Sequence, residues 1–506
     1  MNKRVVVIGA GFAGLSAATT LAQKGFDVTL LEKNTSLGGR ARKLEIDGFT
    51  FDMGPSWYWM PDVFENYFSQ FNTSVAKEYE LIRLDPSYAV FFSKEEVLRI
   101  PANLNEFYAL FEKYEPGSSI QLKKFLKEAE YKYNVSMSDF VHKPSLSILE
   151  FVDLRILNAA LRMDLFKSMS KYIRKHFKDP KLIQLLEFPV IFLGAKPNET
   201  PALYSMMNYA DIVLGSWYPM TGMFAIVEAM ERVAHAQGVK IRTGEKVEKI
   251  TIENGKAVSV VSNGVAYPAD AVIGAADYNH IEQDLLEEKY RNYTKEYWKT
   301  RKMAPSCLMY YIGVNKKIAG LEHHNLFFDA PFDLHAEEIY DRPQWPSNPL
   351  FYSTCASKTD KSVAPEGKEN LVLLIPIAVD IEDTEEIREK YFNIMMERLE
   401  HLTGQSIKEH IIVKKSYALN DFRKDYNSFG GNAYGLANTL MQTAILKPAL
   451  KNKKVCNLYY AGQLTVPGPG VPPSIISGQV AAKQVLSFCG LKVQRLLERK
   501  TGSHST

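Results

Sequence analysis

Cysteine is scarce in this chain. Cys307, Cys355, Cys456 and Cys489 are its four, scattered with no C-x-x-C pair. That excludes a disulfide framework and a zinc-ribbon spacing, and suits a reducing cytoplasm. The ten histidines show no metal-ligand spacing, so no metal is expected; His323 and His324 are adjacent and read as surface residues. No apolar run approaches the ~18 residues of a spanning helix. One of the longest, Leu371 to Val379, contains Pro376. An excess of one charge is also missing: 61 Lys and Arg against 58 Asp and Glu give +3, too little to imply nucleic acid. No Ser-His-Asp order and no reactive-cysteine setting occurs. What remains is a soluble or peripherally attached chain of 506 residues, 46% hydrophobic, long enough for two or three packed domains.

The informative residues lie at the two ends. Val5-Val6-Val7-Ile8 reads as a buried strand, Gly9-Ala10-Gly11-Phe12-Ala13-Gly14 follows at once, and Leu15 to Gln23 reads as a helix. In such a unit the first glycine makes the tight turn, the second admits a pyrophosphate to the backbone, and the third packs helix on strand. Free N–H groups and the dipole of the helix then face the phosphates. A lone glycine fingerprint is weak evidence. Here a second strand, Val28 to Glu32, ends in an acid 18 residues after Gly14, where ribose hydroxyls are bound; Lys33 follows it. Lys3 and Arg4 before apolar residues also resemble a secretion signal, but the nucleotide fingerprint accounts for the same residues better. Leu37-Gly38-Gly39-Arg40-Ala41 adds two glycines and a cation suited to the pyrophosphate of FAD, since phosphate recognition favours arginine. Phe51-Asp52-Met53-Gly54-Pro55-Ser56 reads as a strand end turning into a loop, with Gly54, Pro55 and Ser56 near an isoalloxazine ring. Asp52 reads as a loop or cap residue rather than a catalytic base.

The far segment runs from Ala461-Gly462-Gln463 through Pro467-Gly468-Pro469-Gly470-Val471-Pro472-Pro473 to Gly478. It is expected to cover the reactive ring, with Gly462, Val471 and Pro472 in contact and a final helix from Pro473. Between the ends, Met223 to Gln237 has helical apolar spacing and Val239 to Arg242 reads as a strand. Val247 to Ile252 and Ala257 to Val261 form a hairpin across Glu253-Asn254-Gly255. Ala271 to Asp277 is a buried strand ending in small residues, and Leu458 to Ala461 is another. Val247 and Asp277 are therefore expected at the nucleotide.

The fold class expected is α/β: a Rossmann-like FAD-binding domain assembled from residues 1–60, 220–290 and 446–495, with an inserted α+β substrate domain and a helical membrane-facing region. Residues 61–219 and 291–445 make the substrate-binding and membrane-associating part. The first insertion is expected to be mainly helical; the second mixes strands (Leu308 to Val314, Leu371 to Val379) with a helix near Glu385 to Leu402. Ser357 to Asn370 reads as a polar loop and residues 498–506 as a disordered tail.

With these blocks in order the chain resembles the bacterial carotenoid desaturases of the phytoene desaturase type, within the wider amine-oxidase-like flavoprotein superfamily. The resemblance covers nearly the whole chain. Trp57-Tyr58-Trp59-Met60-Pro61 and Tyr218-Pro219-Met220-Thr221-Gly222-Met223 carry it too, and the proline-glycine end block is its most specific part. Thr221 departs from it, standing where a second glycine is expected. Gln463-Leu464-Thr465 also departs, where many members place a histidine. The resemblance implies an enzyme using FAD without bound NAD(P), and a hydrophobic C40 or C30 polyene drawn from a membrane. It implies serial dehydrogenation, phytoene to a more conjugated polyene such as lycopene, with quinone or oxygen as electron acceptor. It places the protein in the cytoplasm, peripherally on the inner face of the cell membrane. Its catalytic residues stay unassigned, because the cofactor carries the hydride step and the protein supplies position and a dry site. A later-pathway carotenoid desaturase, a C30 dehydrosqualene desaturase, a carotene isomerase, an amine oxidase and a non-enzymatic prenyl-lipid carrier remain open.

Phe188, Ile191, Phe192, Tyr204, Met206 and Met207 are ordinary core by type, and in a polyene enzyme could line a tunnel. Asn158 to Lys178 reads as one amphipathic helix. Eight Lys and Arg lie between Arg155 and Lys181 against Asp164 and Asp179, a pattern that can rest on an anionic bilayer.

Overall fold

In the computed structural model, residues 3–147, 150 and 167–490 are described. Five parallel strands form the first sheet, in the order Leu458–Tyr460, Ala271–Gly274, Arg4–Ile8, Asp27–Leu31, Lys240–Arg242. Three distant stretches of sequence therefore meet edge to edge. The central strand is buried from Val5 to Ile8, as a parallel strand covered on both faces must be. The helix Phe12–Gln23 covers one face and packs along the last helix, Val471–Phe488. Gly478 permits that contact: a Cβ there would lie 2.2 Å from the carbonyl oxygen of Ala13. The helix Phe224–Ala236 packs against the first helix as well.

A three-stranded antiparallel sheet, Val247–Glu253, Lys256–Ser262 and Val265–Pro268, stands beside it. A seven-stranded sheet follows the order Ile411–Tyr417, Ser306–Val314, Glu369–Ile377, Phe351–Thr354, His324–Phe327, Tyr88–Phe91, Val97–Ile100. All its pairs are antiparallel except His324–Phe327 with Tyr88–Phe91. That parallel pair joins the two insertions in one sheet. The helix Glu385–Thr403 seals one face: Tyr391, Phe392, Met395 and Leu399 pack with Leu308, Tyr310 and Ile312. Met309 and Leu374 face the other way, into a cavity between the sheets.

Two expectations change. The first insertion is mainly helical among the described residues, as expected, and also carries the strands Leu81–Arg83, Tyr88–Phe91 and Val97–Ile100; short apolar runs such as Tyr88 to Phe91 fit a buried strand as well as a helix. His323 and His324 are buried, because His324 opens an internal strand of the large sheet. Their ring Nδ1 atoms are satisfied inside, by Thr359 at 2.8 Å and Tyr352 at 2.6 Å. The amphipathic helix does not run unbroken to Lys178. Ser168 is extended, bridges Pro201 and caps a new helix, Met169–His176, by accepting the Lys171 N–H. Most of its expected first half, and the 498–506 tail, lie outside the described residues. No described helix is long and apolar enough to cross a membrane.

Candidate active site

The fingerprint folds as a strand, a tight turn and a helix. Gly9 holds φ +100 and its N–H donates to Leu31 at 2.8 Å, locking the turn to the second strand. Gly14 lies behind the turn: a Cβ there would meet the Gly9 oxygen at 1.8 Å. Its place is helix-to-strand packing, not the cavity wall. Gly11 and Gly39 do line the cavity, and a Cβ on Gly11 would meet only Gly39 Cα, at 4.0 Å. Bare backbone thus faces open space where a pyrophosphate needs close approach. The Gly38 N–H donates to Ala10 at 2.9 Å, so the two glycine segments are one cradle.

Glu32 follows the second strand, buried and facing the cavity. One carboxylate oxygen accepts the Ala10 N–H at 2.8 Å, and the other accepts the main-chain and side-chain N–H of Asn34, each at 2.9 Å. These bonds fix the carboxylate in the cavity wall. Lys33 lines the same region and donates to the Lys424 carbonyl at 2.7 Å. Val247 opens the hairpin and also lines it.

Arg40 donates to Ser428 Oγ at 3.3 Å and to the Asn432 carbonyl at 3.2 Å, while its buried Nε has no partner. Burial pushes its pKa down, and the nearby Asp277 opposes this. An unpaired guanidinium N–H beside a backbone cradle fits a phosphate oxygen. Asp277 lines the cavity and caps the helix Tyr278–Asp284, accepting the Asn279 N–H at 3.0 Å; burial raises its pKa. Gly54, Pro55 and Ser56 line the next stretch, and a Cβ on Gly54 would strike the Arg40 carbonyl oxygen at 2.2 Å. Gly462, Val471 and Pro472 complete the wall from the far end of the chain, and Phe12 and Ala13 face them. The Gly462 N–H donates to Ser477 Oγ at 2.9 Å. Every residue expected at the cofactor except Gly14 therefore borders one cavity. Asp52 is a cap: it accepts the N–H groups of Met223 and Phe224 at 3.0 and 3.3 Å. Thr221 takes φ 70, a glycine-like conformation, held by its N–H donating to Asp360 at 2.7 Å.

Beyond Ser56 the same cavity becomes aromatic. Trp57 stacks on His324 at 4.0 Å and packs against Trp59 and Phe188 at 5.2 and 5.6 Å. Tyr204, Met206 and Met207 continue this lining; the side chains of Ile191 and Phe192 lie outside the described set. Trp59 donates to Ser216 Oγ at 2.7 Å, Ser216 donates to Asp211 at 3.2 Å, and Tyr88 donates to Asp211 at 2.8 Å. The Asp211 carboxyl is thus the buried anchor of the aromatic wall, and burial pushes its pKa up to about 7. Unfolded, it loses its proton near 4, so its contribution to stability is full below that pH and fades as pH rises to about 7. Asp211→Asn is expected to flatten this dependence, by an amount on the order of 4 kcal/mol at pH 8. Apparent melting temperatures of both proteins between pH 4 and 8 check it; parallel curves refute it.

Sequence reasoning missed several contributors from the second insertion. Tyr426 lies 5.2 Å from both the Arg40 and Arg42 guanidinium carbons. Tyr352 joins Ser56 Oγ at 3.0 Å to His324, and Asn438 borders the far wall. The Asn427-Ser428 and Gly430-Gly431-Asn432 turn residues were the available signal for the Tyr426 loop; nothing local marked Tyr352.

This dinucleotide cradle agrees with a family model. Residues 12–486 match the model of the flavin-containing amine oxidoreductases. The chain belongs to that family. FAD is its cofactor, and the protein is an FAD-dependent oxidoreductase. Among characterised members, a carotenoid 3,4-desaturase of Haloarcula japonica is 40% identical over 95% of this chain and 98% of its own length. A zeta-carotene-forming phytoene desaturase of Myxococcus xanthus is 30% identical over 96% of this chain and 94% of its own. A solved oxidoreductase of Methanosarcina mazei superposes with a TM-score of 0.64 at 18% identity, over 95% of this chain and all of that one, which shows the shared fold.

Proposed function

We propose that this protein dehydrogenates a linear carotenoid. The supporting observation is the single cavity that passes from the dinucleotide cradle at Glu32 and Arg40 into a chamber walled by Trp57, Trp59, Phe188 and Met206. FAD, when bound, supplies the hydride acceptor. The chain's residues do the rest. The glycine cradle and Arg40 would hold the phosphates of FAD, and the loop from Gly462 to Pro472 would cover its ring. The aromatic chamber excludes water and aligns the polyene, whose burial is favourable by about 0.8 kcal/mol per CH₂. The acids that border the cavity, Glu32, Glu245, Asp277 and Asp425, cluster around Glu32, Asn34 and Arg40. Ser56 Oγ, Tyr352 Oη and His324 Nδ1 form the polar chain at the start of the chamber.

The reading taken from the sequence is phytoene to a more conjugated product such as lycopene. A second reading, dehydrogenation of an already conjugated linear carotenoid at its end, is favoured by the 40% identity to a carotenoid 3,4-desaturase. The test is anaerobic. Protein with FAD is given phytoene or lycopene in liposomes, and flavin absorbance and extracted polyenes are followed together. Flavin bleaching with lengthened conjugation supports dehydrogenation, and the productive substrate decides between the readings. Bound FAD that bleaches with neither substrate removes the proposal.

Access from the cytoplasmic membrane face, with quinone or oxygen taking the electrons, belongs to the same proposal. Lys171, Arg174 and Lys175 are exposed on Met169–His176, whose Met169, Tyr172 and Ile173 are buried. Charge reversal at Lys167, Lys171 and Lys175 is expected to weaken binding to anionic liposomes, at ~1 kcal/mol per cation, with FAD retained. Unchanged sedimentation with liposomes would take this helix out of the proposal.

A further inference from the structure

Among the described residues, the buried cation Lys447 has no counter-ion. It is 4% exposed, and its ammonium has one hydrogen bond, to Asn438 Oδ1 at 2.8 Å. Burial alone sets its electrostatics: its pKa is pushed down to about 7, with no charged neighbour offsetting the shift. Buried ammonium groups are costly unless paired, so this position calls for an anion that the protein itself does not provide. Its surroundings indicate where that anion lies. Asn438 borders the cofactor cavity, and so does Gly468. A Cβ on Gly468 would stand 3.2 Å from Lys447 Nζ. Gly468 therefore borders the cavity and the ammonium alike. The segment is pinned there by Thr465, whose Oγ1 donates to the Pro448 carbonyl at 2.7 Å. Thr465 belongs to the Gln463-Leu464-Thr465 departure, so this chain's own variation holds the lysine beneath the loop.

We propose that Lys447 is the electrostatic partner of the bound flavin ring, stabilising the negative charge that the ring gains on reduction. Lys447 acts through the loop and through Asn438, as a positioning and charge-stabilising residue. The inference rests on FAD as cofactor and is independent of the carotenoid substrate.

Sulfite tests it without any carotenoid. Sulfite adds through sulfur to flavin N5: an N–S bond forms, the N5=C4a double bond opens, and its electron pair moves as negative charge onto the N1–C2=O side. The adduct bleaches the flavin and its dissociation constant is read by titration of the FAD-loaded protein. Lys447→Met and Lys447→Gln are expected to weaken sulfite binding about tenfold, and Lys447→Arg to stay near the wild type. The flavin midpoint potential should fall in step, by about 30 mV for a tenfold change in a two-electron couple. Gln keeps a hydrogen bond to Asn438 without the charge, so whichever neutral variant folds and holds FAD decides. Unchanged sulfite affinity and potential in that variant overturn the proposal. An equal loss in Lys447→Arg also overturns it, since packing and not charge would then be the cause.

Discussion

Gly14→Val is expected to yield protein that elutes without flavin and melts far below the wild type. A Cβ at this position would stand 1.8 Å from the carbonyl oxygen of Gly9, well inside van der Waals contact. The first helix would have to leave the first strand, and the turn between them is the glycine cradle that lines the cavity. Overpacking in a core costs about 1–3 kcal/mol and sometimes more; here the clash is with backbone, so the upper end applies. Gly25→Ala is the control: it has φ +84 and nothing within 4 Å of the added Cβ, so it should cost about 1–2 kcal/mol of backbone strain and keep its flavin. The measurement is the ratio of flavin to protein absorbance after gel filtration, with a thermal melt. A Gly14→Val protein that retains stoichiometric FAD would contradict the packing argument.

Arg40→Met is expected to weaken FAD binding about 100-fold, roughly 2.7 kcal/mol, while leaving the apoprotein as stable as the wild type or more so. The two halves follow from one fact. Among the described residues the desolvated Arg40 guanidinium has its Nε unpaired and makes two hydrogen bonds, to Ser428 and Asn432, beside the Tyr426 ring and Asp277. Such a cation gives little to the apoprotein, and a methionine of similar length relieves the burial. With a pyrophosphate present the same cation makes charge-assisted bonds, which are about twice as strong as neutral ones. Apoprotein melts and FAD titrations separate the two. Loss of apoprotein stability in parallel with FAD affinity would show Arg40 to be a structural residue.

The glycine-lined end of the cavity was readable because its constraints are local. Gly9, Gly11, Gly14 and Glu32 form a strand–turn–acid pattern set by backbone geometry over about one βαβ unit, and the segment at Gly462 to Pro472 stood out by its prolines and glycines. The aromatic end was not readable in the same way. Trp57 and Trp59 were visible as a cluster, but Tyr352 reaches the cavity only because a seven-stranded sheet brings distant strands together, and Asn438 reaches it from a loop beyond that sheet's last strand in the sequence. His323 and His324 misled for a related reason. Adjacent polar residues suggest a surface, yet the Nδ1 atom of each ring is paired internally, with Thr359 and Tyr352, and pairing of that kind leaves no mark in a short window. Asp52 was legible as a cap; its partners, Met223 and Phe224, were not.

Ser16 Oγ donates to the Ile475 carbonyl at 2.8 Å, across 459 residues of chain. Translation runs at about 5–20 residues per second, so the fingerprint leaves the ribosome about 20–90 s before the helix that closes over it. During that interval the first helix exposes the Ala13–Ala17 stripe on which Gly478 will pack, and the cradle lacks its lid. A nascent chain is therefore a poor holder of flavin however well its first βαβ unit has formed. Fragments stopped before Ala461 should be colourless and prone to association, and flavin supply during expression should govern how much protein survives as soon as the last helix arrives.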